Sequence, residues 1–262
     1  MVDKYLPKPI EDYSVHDTPS DASLMLAYEH ALSEKRKGNS ADVTLKEAYA
    51  SKVGALIYVV PVCRVDCAFT IGILARCLTF PTAEMNEAAN RCLAFLARHP
   101  DDGLTYNASS RPRDLHAYSD SNWSVGHSTS GWVVMYCGAA IGYGSKRQQS
   151  IALSSTEAEI MAASMAATEI LYFRGIMSEL GHDLEATVLY VDNQGAVELS
   201  KDAKSCQRSR HIERRYLRIR ELVAQGDIAV KYVNTEDNHA DLLTKPLERV
   251  VFQKHSRALF GA

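Results

Sequence analysis

The sequence predicts an α/β fold, in which a mixed five-stranded sheet carries helices on both faces and follows a small helical unit. Residues 44–98 place apolar side chains at helical spacing, which indicates consecutive helices. Residues 115–144 contain three short runs rich in β-branched and aromatic residues, which predicts an antiparallel meander. Beyond residue 150 helical and strand patterns alternate, so the remaining strands must join the sheet through helices.

These patterns divide the chain into four segments: 1–43, 44–113, 114–250 and 251–262. We expect the first to be extended or poorly ordered, because prolines interrupt its first 20 residues, with one helix over 21–36. The second is a helical connection segment and the third carries the sheet. The fourth is expected to be a C-terminal tail or helix.

The helical connection segment is predicted to contain three helices, over 45–60, 68–78 and 84–98. Thr44 is a candidate N-cap for the first, with Glu47 at the third position of a capping box. Pro61 is expected to stop or bend that helix, because proline lacks a backbone N–H. The polar residues 101–113 predict a linker, and we place the domain boundary there.

Within residues 114–250, strands are predicted over 115–119, 131–137, 140–144, 187–191 and 228–233, and helices over 155–180, 196–199, 208–224 and from Asp237 onward. Gly138 provides the turn between the second and third strands, while Gly181 and Gly226 end the two longer helices.

Composition excludes several classes of protein. Apolar residues make up 46% and charged residues 23% of the chain, as in ordinary globular domains. No apolar run reaches the roughly 18 residues of a membrane span, so no membrane partner is expected. The six cysteines lack paired C-x-x-C spacing, which predicts neither a zinc site nor a disulfide framework. A reducing intracellular compartment is therefore expected.

Charge is distributed unevenly, although the net charge is only −3. Residues 201–231 contain nine Lys or Arg and four acidic residues. A basic face of this kind suits a polyanionic substrate, and a solvated helix surface is the alternative explanation.

Four acidic residues, Asp120, Glu159, Asp192 and Asp241, lie at predicted strand ends or helix starts. Asp120 follows the first strand and Asp192 the fourth, so parallel pairing would bring both to one edge of the sheet. Converging carboxylates favour divalent cations, and two such cations can support phosphodiester cleavage. Taken alone, Asp120 also fits a turn after a strand.

The helix predicted from residue 155 offers two glutamates as ligands. Ser154 and Glu157 fit a capping box, which gives Glu157 a structural role. Glu159 lies about 200° round the helix from Glu157 and heads a face of small apolar residues. Glu159 is therefore the better candidate ligand. A cap formed by Thr156 and Glu159 would instead make both glutamates structural.

Asp241 and His239 share one predicted helical turn. The helix dipole alone could account for Asp241 there. His239 is a candidate for moving a proton or assisting product release, and a surface role is the alternative.

Seven motifs resemble, in order, the ribonuclease H domain of Ty1/copia-type retrotransposon Pol polyproteins. They are Tyr-Ser-Asp-Ser-Asn-Trp (118–123), Ser-Thr-Ser-Gly-Trp (128–132), Ser-Lys-Arg-Gln (145–148), Ala-Leu-Ser-Ser-Thr-Glu-Ala-Glu (152–159), Val-Asp-Asn-Gln (191–194), Arg-His-Ile-Glu-Arg-Arg-Tyr (210–216) and Ala-Asp-Leu-Leu-Thr-Lys-Pro-Leu (240–247). Residues 44–113 resemble the end of the preceding reverse transcriptase, with Cys63-Arg64-Val65-Asp66 in place of the family's Thr-Arg-Pro-Asp.

The resemblance implies a ribonuclease H-like fold and metal-dependent cleavage of the RNA strand in RNA–DNA hybrids. It implies two Mg²⁺ ions, with Mn²⁺ as a substitute. Asp120 would bridge both ions, Asp241 would help hold the one that activates water, and Glu159 and Asp192 would hold the one beside the leaving oxygen. Water would displace the 3′ oxygen and leave a 5′ phosphate.

The resemblance also implies nucleic-acid contacts. Ser121, Asn193 and Gln194 would lie where the family contacts the minor groove and 2′-hydroxyls. Candidate contacts to the phosphate backbone are Arg208, Arg210, Arg214, Arg215 and Arg218. His211 matches a family position, but no role is assigned to it.

Other functions are compatible with the same residues. The chain contains no Tyr-x-Asp-Asp motif, so DNA synthesis is not expected, and the missing reverse-transcriptase palm and fingers are a candidate partner. An integrase- or transposase-like strand-transfer enzyme on the same fold is one alternative. A fragment that binds hybrid without cutting it is the other, although the complete carboxylate set argues against it.

Overall fold

The computed structural model describes residues 2–39, 41–107, 114–123, 127–201 and 210–261. The chain forms two compact units, of which the first comprises Met1–Gly103 with Pro246–Lys254, and the second Leu104–Lys245 with His255–Ala262.

The first unit is helical. Its helices are α1 (Val2–Tyr5), α2 (Ala22–Arg36), α3 (Val43–Cys63), α4 (Ala68–Ala75) and α5 (Ala83–Arg98). Their shared core includes Tyr49 of α3, which is fully buried and donates to the Leu74 carbonyl at 2.7 Å. Lys52 is also buried and donates to Asn86 and Asn90 on α5 at 2.8 and 2.7 Å. The three helices predicted within residues 44–98 are thus present.

Two details of α3 differ from prediction. Asp42, not Thr44, is its N-cap, because the Asp42 carboxylate accepts from the Thr44 N–H at 3.1 Å. Pro61 lies inside the last turn, and the helix continues to Cys63. A proline this close to the helix end removes one backbone hydrogen bond without interrupting the preceding turns.

The first 20 residues differ from the expected extended region. They contain α1 and a short 3-10 helix, Ile10–Asp12. Arg98 of α5 donates to the carbonyls of Ile10 and Tyr13 at 2.7 and 2.8 Å. These hydrogen bonds fix a segment that has no apolar periodicity of its own.

The C-terminal boundaries also differ from prediction, since helix α9 (Arg249–Phe260) begins within the predicted sheet domain. Its first part belongs to the first unit. There Phe252 packs edge-on against Phe95 at 5.9 Å, and Arg249 pairs with Asp17 at 3.3 Å. These contacts account for the assignment of Pro246–Lys254 to the helical unit.

The second unit contains the mixed five-stranded sheet. Its strands are β1 (His116–Asn122), β2 (Thr129–Tyr136), β3 (Ala139–Arg147), β4 (Thr187–Val191) and β5 (Ile228–Tyr232), in the spatial order β3-β2-β1-β4-β5. The first three pair antiparallel, and β1–β4 and β4–β5 pair parallel. Cys137 and Gly138, both with positive φ, form the two-residue turn between β2 and β3. The predicted fold class is confirmed.

Helical elements cover both faces of this sheet. They are α6 (Ser155–Glu179), α7 (Gln194–Lys201), α8 (Arg210–Ala224), the C-terminal part of α9, and two 3-10 helices, Thr235–Asp237 and His239–Leu243. Ala117 of β1 joins the core shared with α6 and α8. Its neighbour Tyr118 faces the opposite side, where it packs against His239 at 4.8 Å.

The helix predicted from Asp237 onward is interrupted. Asn238 separates the two 3-10 helices, and its side chain accepts from the Ala240 N–H at 3.2 Å. The same side chain donates to the Ser119 carbonyl at 3.0 Å. Asn238 thus starts a new turn and attaches it to β1.

Helix α6 forms the centre of the core. Among the described helices it is the one long and apolar enough to cross a membrane by composition. Its apolar residues Ile160, Ala163, Ala166 and Ile170 are buried in the core formed with the sheet, so packing against the sheet accounts for that composition.

Candidate metal centre

The parallel pairing of β1 and β4 brings two carboxylates to one edge of the sheet. Ser119 lies opposite Val191 in this ladder. Asp120 is the next residue of β1, which continues to Asn122 and so extends past the predicted end at Ser119, and Asp192 directly follows β4. Asp120 is 4% exposed, and Asp192 is only partly buried. Asp192 accepts from the Thr235 hydroxyl at 3.0 Å.

Helix α6 adds the third carboxylate. The Ser154 side chain caps the helix by accepting from the Glu157 N–H at 3.2 Å, and Glu157 accepts from the Leu153 N–H at 3.1 Å. Glu159 instead faces β1, where Ser121 donates to its Oε1 from both the backbone N–H, at 3.1 Å, and the hydroxyl, at 2.7 Å. The helix start thus separates a capping glutamate from one that turns toward the aspartates.

Asp120, Glu159 and Asp192 converge on a single point. One carboxylate oxygen from each lies within 4.8 Å of the others. The second oxygen of Glu159, Oε2, is buried without a hydrogen-bond partner among the described residues. An unsatisfied buried carboxylate oxygen beside two other carboxylates is a costly arrangement for a protein alone. Three hard oxygen donors at this spacing fit a divalent cation.

Asp241 lies beside Asp120 and is not part of this set of three. It is 4% exposed, and its Oδ1 has no hydrogen-bond partner in the described part of the chain. Its Oδ2 pairs with Lys245 Nζ at 2.9 Å. The Thr244 hydroxyl donates to Asp120 Oδ2. The 3-10 helix His239–Leu243 and the two residues after it therefore form one wall of the site.

The carboxylates strengthen one another's affinity for protons. Burial raises the pKa of Asp120 to about 6, and the charge of Asp241 adds to the rise. Burial and the charge of Asp120 raise the pKa of Glu159 well above its ordinary value. The pKa of Asp192 is raised by the same two causes. Since each shift disfavours the ionised form, a bound cation would relieve all three.

Gly131 allows residues 240–244, which are part of the wall of the site, to pack closely against β2. It lies directly opposite Asp120 in the β1–β2 ladder. A Cβ at this position would lie 2.7 Å from Thr244 Cγ2, 2.8 Å from Leu243 Cβ and 2.9 Å from the Ala240 carbonyl oxygen. The backbone of 240–244 therefore packs directly on the β2 backbone, which only glycine permits.

Comparison with known proteins identifies the relatives of this chain. No family model matches it. It is 33% identical over 262 residues to the Retrovirus-related Pol polyprotein from transposon TNT 1-94 of Nicotiana tabacum, covering 96% of this chain and 19% of the polyprotein. It is also 35% identical over 216 residues to the Retrovirus-related Pol polyprotein from transposon RE2 of Arabidopsis thaliana. This match covers 80% of this chain and 15% of the polyprotein. The chain is a homologue of Ty1/copia-type retrotransposon Pol polyproteins. It spans less than a fifth of the length of either.

A shorter relative is Secreted RxLR effector protein 161 of Plasmopara viticola, 34% identical over 128 residues that cover 47% of this chain and 89% of that protein. Two solved structures align with half of this Pol homologue and 94% of their own chains. RNase H1 from Halobacterium salinarum NRC-1 has a TM-score of 0.39 at 22% identity. LC11-RNase H1 in complex with RNA/DNA hybrid has a TM-score of 0.41 at 15% identity.

Three other predicted site residues of this Pol homologue, His239, Ser121 and Asn193, contact other residues of the chain. His239, predicted to move protons, is 2.9 Å from His255 between their Nδ1 atoms and packs against Tyr118. Ser121, predicted to contact nucleic acid, directs its hydroxyl to Glu159. Asn193 caps α7 by accepting from the Ala196 N–H at 3.0 Å.

The predicted backbone-binding arginines belong to or precede α8. Arg214 and Arg218 are exposed and Arg215 is partly buried, and Arg218 pairs with Glu221 at 2.9 Å. Arg208 and the side chain of Arg210 lie outside the described residues. Gln194, the first residue of α7, is exposed and is free to meet a ligand from solvent.

Four residues of the site were not among those predicted: Gly131, Thr235, Thr244 and Lys245. All except Thr235 lie within motifs that carry the resemblance. The signal that could have identified Lys245 is its position four residues after Asp241, which places the two side chains on one side of a helical turn.

Proposed function

We propose that this chain is a metal-dependent ribonuclease H that hydrolyses the RNA strand of RNA–DNA hybrids as part of a retrotransposon Pol polyprotein. The observation that carries the proposal is the convergence of Asp120, Glu159 and Asp192 within 4.8 Å, with Asp241 beside Asp120. Homology to Pol polyproteins supports the same class of enzyme.

The residues divide between two sides of the centre. Glu159 and Asp192 with Asp120 would hold one Mg²⁺, and Asp120 with Asp241 would hold a second, with Mn²⁺ as a substitute. Bound divalent ions would supply Lewis-acid stabilisation of the phosphoryl oxygens. The chain's own contribution is to hold these carboxylates before substrate arrives: Ser121 fixes Glu159, Thr235 fixes Asp192 and Thr244 fixes Asp120.

Substrate recognition is proposed to use residues around this edge of the sheet. Gln194 is exposed at the start of α7, directly after the Asp192 loop. Polar side chains in such a position can contact 2′-hydroxyls, which distinguish RNA from DNA. The exposed Arg214 and Arg218 of α8 are proposed to contact phosphates. The reverse-transcriptase part of the polyprotein is the proposed protein partner.

A cleavage assay tests this function. The 262-residue protein is offered a labelled RNA–DNA hybrid, single-stranded RNA and duplex DNA, each with Mg²⁺ or EDTA. Cutting of the RNA strand in the hybrid alone, abolished by EDTA, is the expected result. Joining of duplex DNA would favour a strand-transfer enzyme, and hybrid binding without cutting would favour a non-catalytic module.

The matched variants are Asp192→Asn and Asp183→Asn. Asn at 192 still accepts from Thr235 but loses the charge that would hold a cation, so cutting should fall by about 100-fold or more with the fold retained. Asp183 is exposed in the loop before β4, and its variant should cut at the wild-type rate. Native cutting by Asp192→Asn would contradict the metal assignment.

A further inference from the structure

Lys245 places a positive charge inside the candidate metal centre. Its Nζ lies 2.9 Å from Asp241 Oδ2, and 37% of its side chain is exposed. The ammonium is therefore the counter-ion that the chain itself supplies to Asp241.

The two sides of the centre differ in how their carboxylates are satisfied. On one side, Glu159 and Asp192 accept hydrogen bonds from Ser121 and Thr235. Neither forms an ion pair within the described ranges. On the other side, Asp241 is held by a cation that the chain itself supplies. A divalent ion that approaches Asp241 therefore meets a competitor, whereas one that approaches Glu159 and Asp192 does not.

We propose that Lys245 competes with a divalent cation for Asp241, so that the centre takes up its two cations in order. The first binds among Asp120, Glu159 and Asp192. The second binds on the Asp241 side, more weakly, after Lys245 has released Asp241. This inference rests on the proposed metal-dependent function and assigns Lys245 as a positioning residue that regulates its second cation.

The chemistry of lysine suits this role. An ammonium is a compact point charge on a flexible stem, so it can leave a carboxylate by rotation without moving the backbone. Because the side chain is partly exposed, the released ammonium would be hydrated at once. Partly exposed ion pairs are individually weak, so the competition should change affinity by about tenfold or less rather than prevent binding.

The test is a Mn²⁺ titration of the whole chain, followed by electron paramagnetic resonance of free Mn²⁺ and by calorimetry, without nucleic acid. The proteins compared are wild type, Lys245→Met, Lys245→Arg and Lys37→Met. Lys37 forms a 2.7 Å ion pair with Glu34 in the first unit, so its variant removes a lysine–carboxylate pair outside the centre.

Wild type should bind two ions with unequal affinities. Lys245→Met should bind the second ion about 3- to 10-fold more tightly, while Lys245→Arg and Lys37→Met should resemble wild type. Lys245→Met should also melt at a lower temperature than wild type in EDTA but not in saturating Mn²⁺. A merely structural lysine would lower the melting temperature in both conditions.

Equal second-ion affinity in wild type and Lys245→Met would overturn the role of Lys245 while leaving the proposed function intact. Loss of the second ion in Lys245→Met would also overturn it, because Lys245 would then assist rather than compete. If no protein in the set bound Mn²⁺, the metal centre itself would be wrong, and the inference would fall with it.

Discussion

The Thr244 hydroxyl donates a hydrogen bond to Oδ2 of Asp120, although 124 residues separate the two in sequence. This contact joins the end of the 3-10 helix His239–Leu243 to the central carboxylate on β1. It lowers the pKa of Asp120 against the larger effects of burial and of Asp241. Thr244 thus helps keep Asp120 ionised and oriented.

Replacement of Thr244 by valine keeps the side-chain shape and removes the donor. We expect Thr244→Val to lose about 1–3 kcal/mol of unfolding free energy, because a hydrogen bond to a charged group is lost. Mn²⁺ binding should weaken in the same variant. Thr168→Val is the control, since Thr168 donates to Ser164 on exposed α6 surface. Chemical denaturation and Mn²⁺ titration measure both effects, and an unchanged Mn²⁺ affinity would contradict a role for Thr244 in orienting Asp120.

Gly131→Ala tests whether the close packing of β2 on residues 240–244 positions the site. The new Cβ would meet atoms at 2.7–2.9 Å, two of them side-chain carbons and one a backbone oxygen. The 240–244 segment must therefore move, at a cost of about 1–3 kcal/mol, and Asp241 and Thr244 should move with it. We expect lower stability together with weaker Mn²⁺ binding.

Gly175→Ala is the matched control for this substitution. Gly175 lies in α6, and a Cβ there meets nothing within 4 Å. Alanine should stabilise the helix by about 0.5–1 kcal/mol and leave Mn²⁺ binding unchanged. If both glycine variants bound Mn²⁺ as wild type does, the 240–244 segment would not depend on Gly131 for its position.

Much of the carboxylate arrangement could be predicted from the sequence, because the pairing of the strands determines which strand ends lie next to each other. Asp120 lies in the last part of β1 and Asp192 directly follows β4; these strands pair in parallel, and the carboxyl ends of parallel strands lie at one edge. Helical phase likewise separated Glu157 from Glu159, since side chains two residues apart point to nearly opposite sides of a helix.

The wall formed by 239–245 could not be predicted in the same way. Its path depends on the cap at Asn238 and on packing against Gly131, which are contacts between distant parts of the chain. A regular helix was therefore expected where two 3-10 helices occur. The position of Thr244 follows from that irregular path, so periodicity gave no indication of it, and only the four-residue spacing of Lys245 from Asp241 pointed to that pair.

The direction of Ser121 was predictable but was not predicted. Successive residues of a strand point to opposite faces, so Ser121 must face away from Asp120 and toward α6. There its hydroxyl meets Glu159 at 2.7 Å. Strand alternation therefore accounts for the role of Ser121 in orienting Glu159.

The two glutamates of α6 should respond in opposite ways to substitution by glutamine. Glu157→Gln keeps an acceptor for the Leu153 N–H, so it should cost at most about 1 kcal/mol, and hybrid cutting should continue. Glu159→Gln should abolish cutting. Burial and the charge of Asp120 disfavour the ionised form of Glu159 and raise its pKa. The neutral side chain in Glu159→Gln should therefore raise the melting temperature in EDTA at pH 7. Retained cutting in Glu159→Gln with loss in Glu157→Gln would show that the two roles are reversed.

The stability of the metal-free protein should depend on pH through Asp120. Burial and the charge of Asp241 raise the pKa of Asp120 from its ordinary 3.8 to about 6. The folded state therefore holds this proton more tightly than the unfolded state. The resulting stabilisation is fully present below pH 3.8 and is lost as the pH rises through 6. In EDTA, wild type should thus lose on the order of 1–3 kcal/mol relative to Asp120→Asn between pH 4 and pH 7.

Mg²⁺ should offset the loss of stability that wild type shows relative to Asp120→Asn as the pH rises. The reason is that a cation binds the ionised carboxylates and competes with protons. Its stabilising effect on wild type should grow from pH 5 to pH 7 and be much smaller in Asp120→Asn. His16 also makes stability depend on pH, in the opposite direction, because its pKa is lowered, mainly by burial. Both proteins contain His16, so its contribution cancels in the difference between wild type and Asp120→Asn. Melting curves at pH 5, 6 and 7 with EDTA or Mg²⁺ supply the measurement. A Mg²⁺ effect that did not change with pH would show that protons and cations do not share Asp120.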